Sequence, residues 1–219
     1  MNKEKILILD FGGQYNQLIA RRVREANVYC EVKPYDMSLE DIRRFDPVGI
    51  IFTGGPNSVY AAGSPHADRG VFSLGVPILG ICYGCQLLAY ELGGKVTGAQ
   101  EDSAREYGKT LTRFDTSCRL FKGLPAESVT WMSHGDYMAR TPDGFSLAAQ
   151  SDACPTVGIC DEKRRFYGLQ FHPEVNHTEH GRDMLRNFLY EICGARGEWT
   201  MSDYKREAIE TVRAKVGAG

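Results

Sequence analysis

Residues 5–10 (KILILD) form an unbroken apolar run that stops at Gly12 and Gly13, and residues 17–23 (QLIARRV) are then apolar along one helical face. That order predicts strand, turn, helix. The same grammar repeats. Residues 28–32 read as a second strand, residues 38–42 (SLEDI) as a helix start capped by Ser38, and residues 48–52 as a third strand ending at Gly54, Gly55 and Pro56. Residues 76–81 make a fourth strand, with residues 86–92 as the helix behind it. Runs this continuously apolar belong to strands covered on both faces, which is the condition of a parallel sheet between helices. After about residue 95 the pattern shortens and alternates, near 109–113, 128–132, 145–149 and 156–160, as antiparallel additions would. These lead into residues 165–171, a strand expected to return to the main sheet. Residues 179–192 read as a helix, residues 193–197 (CGARG) break it, and residues 202–216 make another with Ile209, Val212 and Val216 on one face. The predicted class is α/β: a central, mostly parallel sheet flanked by helices, with antiparallel additions. Residues 1–195 are expected to form the domain and residues 196–219 a C-terminal helix or linker. The apolar stripe of that helix is expected to pack on its own domain, the other reading being a face that meets a further domain.

The chain's 219 residues suffice for one sizeable α/β domain with a real core. A formal net charge of −2, with neither sign in long blocks, gives no sign of a nucleic-acid groove or an anionic membrane as partner. No apolar stretch reaches the roughly 18 residues of a membrane span, and the first residues lead straight into a short strand rather than a signal-peptide core, so a cytoplasmic location is expected. The seven cysteines, at 30, 82, 85, 118, 154, 160 and 193, are odd in number and scattered. That spacing suits neither a disulfide scaffold nor a zinc site, and most of them read as small buried hydrophobes.

Cys82 is different. In residues 80–84 (GICYG) it sits between an apolar run and a helix start, with a glycine on either side, the pattern of a strained strand-to-helix elbow that lifts a nucleophile clear of its neighbours. At a helix N-terminus the unpaired N–H groups favour thiolate over thiol, and the thiolate is the attacking species. His172 and Glu174 stand two apart at the end of a predicted strand, so both point to one face and the carboxylate can fix the imidazole tautomer, leaving the other nitrogen to exchange a proton with Cys82. The backbone N–H of Tyr83, directly after the nucleophile, and that of Gly55 are the expected oxyanion donors. Each motif alone also has an inert reading: a cysteine in a tight turn, a histidine capped by a neighbour, an ordinary Gly-Gly-Pro turn. Cys85 allows a redox pairing with Cys82 through its Cys-x-x-Cys spacing, with core packing favoured. His177 and His180 are three apart, but without a fixed carboxylate set they make no metal site, and no metal is expected.

Residues 80–86 (GICYGCQ), 53–59 (TGGPNSV), 133–136 (SHGD) and 170–174 (QFHPE) together resemble the class I glutamine amidotransferases. More narrowly, residues 6–23, 105–108 (REYG), 131–136 (WMSHGD), 171–181 (FHPEVNHTEHG), 186–194 (RNFLYEICG) and 198–201 (EWTM) resemble the amidotransferase domain of the GMP synthetase family, so the likeness covers nearly the whole chain. It implies the flavodoxin-like fold of that class and hydrolysis of L-glutamine to glutamate and ammonia. It makes Cys82 the nucleophile, His172 the general base and acid and Glu174 the orienting carboxylate, with Gly55 and Tyr83 at the oxyanion positions. Gln86 and the backbone around Ser133, Gly135 and Asp136 fall where the family holds glutamine. Ammonia would pass to an ATP-pyrophosphatase domain, in cis or in trans, that aminates XMP. That domain would use ATP and Mg2+; this chain itself would need no cofactor. The Ser-Gly-Gly-x-Asp phosphate loop of that domain is not found in this sequence, so the chain is expected to be an excised domain or a separate subunit. Residues 176–181 would face the synthetase. A homodimer is considered for the full enzyme, and the sequence leaves oligomeric state open. Gly13 stands where the family usually has serine, and Cys85 where methionine is common. The rivals are a glutamine-sensing module without turnover and a γ-glutamyl peptidase on the same architecture.

Overall fold

The computed structural model describes residues 4–98, 106–202, 205, 209, 212, 213, 216 and 217. Strand β1 (Lys5–Asp10) lies between β2 (Tyr29–Pro34) and β3 (Gly49–Phe52), and β4 (Ile78–Ile81) follows on the far side of β3. All three pairings are parallel. The chain returns to β4 through β11 (Phe166–Leu169), also parallel, and from there the sheet turns antiparallel through β10 (Gly158–Asp161), β9 (Ser146–Ser151), β6 (Glu106–Phe114) and β7 (Glu127–His134). The result is a nine-stranded mixed sheet in the order β2-β1-β3-β4-β11-β10-β9-β6-β7. A separate two-stranded ribbon pairs β5 (Lys95–Gly98) with β8 (Asp136–Arg140). The α/β architecture is the one expected, and the ribbon is an addition to it. Its strands are too short and too mixed in polarity to register as alternation.

Strand β1 shows why the apolar runs are continuous. Ile6 and Ile8 face one core with Ile19, Ala20 and Val23 of helix α1 (Asn16–Glu25). Leu7 and Leu9 face the other with Ile42 of α2 (Leu39–Phe45) and Leu87 and Leu88 of α3 (Tyr83–Glu91). With both faces buried, a polar residue on either side would lose water without gaining a partner. Ser38 accepts a hydrogen bond from the Asp41 N–H at 3.1 Å, so the predicted cap is formed. The helix expected over 179–192 divides into α4 (Gly181–Arg186) and a π-helical turn, Asn187–Ile192.

Two expectations change. His172 and Glu174 do not stand on a strand: β11 ends at Leu169, and both residues occupy the turn beyond it. The apolar stripe expected on the C-terminal helix is open, with Ile209, Val212 and Val216 exposed by 53, 58 and 77 %. These three residues do not pack on the domain. Packing instead continues through Trp199, which is buried beside Tyr29 and donates its N–H to the Asn27 carbonyl at 3.0 Å. Arg105 of the REYG motif lies outside the described residues.

The elbow after β4 is the tightest part of the fold. Cys82 has φ 53° and ψ −109°, a left-handed backbone rare for a side chain of any size, and its N–H is held by the Leu169 carbonyl at 2.7 Å. A Cβ on Gly80 would collide with the Gly84 carbonyl, and one on Gly84 would stand 2.5 Å from the Phe52 carbonyl oxygen of β3. Neither neighbour can yield, because each is backbone, the one in the first turn of α3 and the other at the end of β3. Gly84→Ala is therefore expected to destabilise the protein by about 2 kcal/mol or more, read from the urea unfolding midpoint; an unchanged midpoint would contradict this packing.

Candidate active site

Cys82, the loops after β1 and β3, and the turn after β11 meet at the carboxyl end of the parallel strands. This is where strand order reverses between β1 and β3, and where open α/β sheets leave a crevice. A cleft of about 460 Å³ opens there. It is lined by Cys82, Tyr83, Gly54, Gly55, Gln86, Ser133, Gly135, Asp136, His172 and Glu174, while Cys85, His177 and His180 lie outside it.

Cys82 is 8 % exposed, His172 6 % and Glu174 1 %. His172 Nδ1 is 2.7 Å from Glu174 Oε1. That contact leaves Nε2 for the Cys82 thiol, which lines the same cleft. Burial opposes a charged imidazole, but the hydrogen bonds to Cys82 and Glu174 and their negative charge outweigh it, and His172 is pushed up to about 10. The arrangement favours an imidazolium between the Cys82 sulfur and the Glu174 side chain. The turn, rather than strand alternation, brings the dyad together: the His172 N–H donates to the Trp131 carbonyl at 3.0 Å, and Thr178 Oγ1 donates to the His172 carbonyl at 2.6 Å while accepting the Trp131 N–H at 3.0 Å.

Two backbone N–H groups in residues that line the cleft are left without a partner. Among the described residues, the N–H groups of Tyr83 and Gly55 have no protein acceptor. Thr53 Oγ1 donates to the Gly54 carbonyl at 2.9 Å and accepts the Phe11 N–H at 3.0 Å. Because a peptide is planar and trans, pinning the Gly54 C=O turns the Gly55 N–H to the opposite side. The Gly54 carbonyl also lies where a Cβ on residue 13 would stand, 2.5 Å away, so the two loops approach this closely because Gly13 has no side chain.

Gln86 Nε2 donates to the Asp136 carbonyl at 3.0 Å and to Gln170 Oε1 at 3.1 Å, and Gln170 Nε2 reaches Cys82 Sγ at 3.8 Å. Ser133 contributes its carbonyl, 3.8 Å from the same sulfur. Asp136 is further braced by the Tyr60 hydroxyl, which donates to its Oδ1 at 3.1 Å.

Several contributors were given no role of their own in the sequence analysis. Gln170 is a fully buried amide just past an apolar strand. His134 is buried with Nδ1 3.1 Å from the Asp136 carbonyl and Nε2 3.3 Å from Glu106, which also accepts from Ser151 Oγ at 2.8 Å. Arg22 is a buried cation on the apolar side of α1. Its signal was readable, since Arg22 lies three residues after Ile19 and so shares its face. Cys85, by contrast, is fully buried against Gly168, and burial pushes its thiol well up, as befits a core residue. His177 packs on Trp131 with ring centroids 4.5 Å apart, and His180 pairs with Asp183 at 3.5 Å. Among the described residues, the one group with metal-like spacing is Cys118, Cys160 and Glu162, away from the cleft, and its carboxylate is taken up by Arg119 and Tyr167.

The profile of the class-I glutamine amidotransferases matches residues 7–192, and the chain belongs to that family. It is 56 % identical over 217 residues to the GMP synthase [glutamine-hydrolyzing] of Acetivibrio thermocellus and 54 % identical over 215 residues to that of Clostridium perfringens, covering 99 % and 98 % of this chain. It spans 42 % of the length of each of these relatives. Among solved structures, a Thermoplasma acidophilum protein described as one subunit of a GMP synthase superposes with a TM-score of 0.78 at 32 % identity, over 95 % of this chain and 98 % of that one. No helix among the described residues is long and apolar enough to cross a membrane.

The raised His172 value has a consequence for stability. A raised imidazole contributes stability that is fully present below the ordinary histidine value near 6.5 and is lost as pH rises through about 10. Glu174→Gln should therefore cost about 2 kcal/mol near pH 6, with the difference from wild type shrinking as pH approaches 10; urea melts across that range check it, and a pH-independent difference would contradict it.

Proposed function

We propose that this chain is the glutaminase half of a GMP synthetase, a cytoplasmic enzyme whose second domain aminates XMP with ATP and Mg2+. The observation that carries the reading is the junction of Cys82, in its strained elbow, with His172 and Glu174 in a cleft that also presents two free backbone N–H groups. The names of the relatives support the synthetase assignment, and the seven cysteines, all unpaired, suit a reducing compartment.

The Cys82 thiolate attacks the side-chain amide carbon of glutamine, and the carbonyl electron pair moves to oxygen, where the N–H groups of Gly55 and Tyr83 receive it. The His172 imidazolium protonates the departing nitrogen, the C–N bond breaks, ammonia leaves and a γ-glutamyl thioester remains. The neutral imidazole then takes a proton from water, which attacks the thioester through a second oxyanion to give glutamate and the free thiol. Glu174 stays ionised, holding Nδ1–H throughout. Gln86 keeps the Asp136 carbonyl in place, and the backbone of Ser133, Gly135 and Asp136 forms the wall that grips the amino-acid end of glutamine. Residues 1–195 carry this chemistry, and residues 196–219, with an exposed apolar stripe, lead toward the synthetase.

The test is ammonia and glutamate release from free L-glutamine, by the chain alone and mixed with a synthetase domain. Equal amounts of the two products are expected, and Cys82→Ala should lose about a thousandfold or more with an unchanged circular dichroism spectrum. Retained turnover in Cys82→Ala would overturn the assignment. Cleavage of γ-glutamyl peptides in preference to glutamine would support the peptidase instead, and binding without turnover the sensing module.

A further inference from the structure

Arg22 lies on α1, far in sequence from the cleft residues, yet it is 7 % exposed and every branch of its guanidinium is engaged. Nε donates to the Glu174 main-chain carbonyl at 2.9 Å, Nη2 to Asn176 Oδ1 at 2.7 Å, and Nη1 to Glu25 Oε2 at 2.8 Å. Two of these bonds reach across 152 and 154 residues to the turn that follows β11. A buried cation is retained only where its desolvation is offset by well-formed bonds. Here one of those bonds ends on the backbone of the carboxylate that faces His172, and a second on Asn176 two residues on.

The turn needs such an anchor. With β11 ended at Leu169, no ladder partner fixes residues 173–176 from the sheet side. Thr178 and Trp131 hold the His172 end of the turn, and Arg22 holds the Glu174 end. Glu174 offers Oε1 to His172 at 2.7 Å, while its Oε2 is buried without a protein partner. The side chain is thus oriented by one bond at its tip and by wherever its backbone is placed. A planar guanidinium that grips the Glu174 carbonyl and Asn176 together fixes that backbone in two directions, which a single ammonium cannot do.

We infer that Arg22 is a positioning residue for glutamine hydrolysis: its guanidinium clamps the turn carrying Glu174, and so aligns the carboxylate that orients His172 toward Cys82. The inference rests on the glutaminase reading above. It predicts a loss in the chemical step rather than in substrate binding, because Arg22 touches neither the Gln86–Asp136 wall nor the cleft. A displacement of about an ångström at an orienting group is enough to slow chemistry severely.

The experiment compares wild type, Arg22→Met, Arg22→Lys and Asn176→Ala in the full 219-residue chain, with two readouts: kcat and KM for glutamine, and the NMR resonance of the His172 Nδ1–H, one of only five histidines to be assigned. Arg22→Met should lower kcat about tenfold or more with KM held within about twofold, and should move the Nδ1–H resonance upfield as the bond to Glu174 loosens. Arg22→Lys should fall between it and wild type, and Asn176→Ala should show a smaller effect in the same direction. A kcat within about twofold of wild type in folded Arg22→Met would overturn the inference, as would kcat and KM failing together with the resonance unmoved. If Arg22→Met does not fold, wild-type kcat and resonance in both other variants would overturn it. If wild type itself releases no ammonia, the glutaminase reading fails, and the resonance alone still decides whether Arg22 aligns Glu174.

Discussion

The left-handed backbone of Cys82 is the constraint on which the rest of the site depends. A residue at φ 53° is unfavourable unless its surroundings over-determine it, and here they do so from three sides. The Leu169 carbonyl holds its N–H, the Thr53 carbonyl holds the Gly84 N–H at 3.1 Å, and side-chain-free positions at 80 and 84 let α3 start in contact with β3. Three parallel strands thereby meet at one point. The strand ends that support the elbow are also the ones whose following loops deliver Gly55 and His172, so the strain is held where the chemistry is assembled.

The charges are arranged by the same logic. His172, Glu174 and Arg22 are all buried, and in isolation each would be costly. From the sulfur outward come the Cys82 thiol, an imidazole driven toward its cation, the Glu174 side chain that it meets, and a guanidinium bonded to that residue's own backbone. Each charge is offset by the next. Removing a member strands its neighbour in a low-dielectric setting, where a missing partner costs more than the intact bond contributes.

How much of this could be read from the residues follows from the range of the forces involved. The five strands of the parallel part were legible because two-sided burial leaves an unbroken apolar trace in KILILD or in residues 76–81. The elbow was legible because its steric demand falls on near neighbours, Gly80 and Gly84. The ribbon of β5 and β8 left no trace, since a two-stranded unit on the surface imposes little pattern. The placement of His172 and Glu174 on a strand was wrong in mechanism: the alternation argument needs a ladder, and the turn beyond Leu169 does the same work through Thr178 and Trp131. Arg22, Gln170 and the His134–Glu106 pair act across the fold, and long-range partners are invisible in a local pattern. The stripe of Ile209, Val212 and Val216 was legible as a stripe, but its partner surface was not, and the domain does not supply one.

Everything in the site converges on a covalent bond between the Cys82 sulfur and the side-chain amide carbon of glutamine. Acid quenching during turnover, followed by mass spectrometry of the peptide that contains Cys82, tests this most directly. A mass gain of one γ-glutamyl group on that peptide is expected, present in wild type and absent in Cys82→Ala. Ammonia release with no adduct on Cys82, or an adduct on another cysteine, would contradict it.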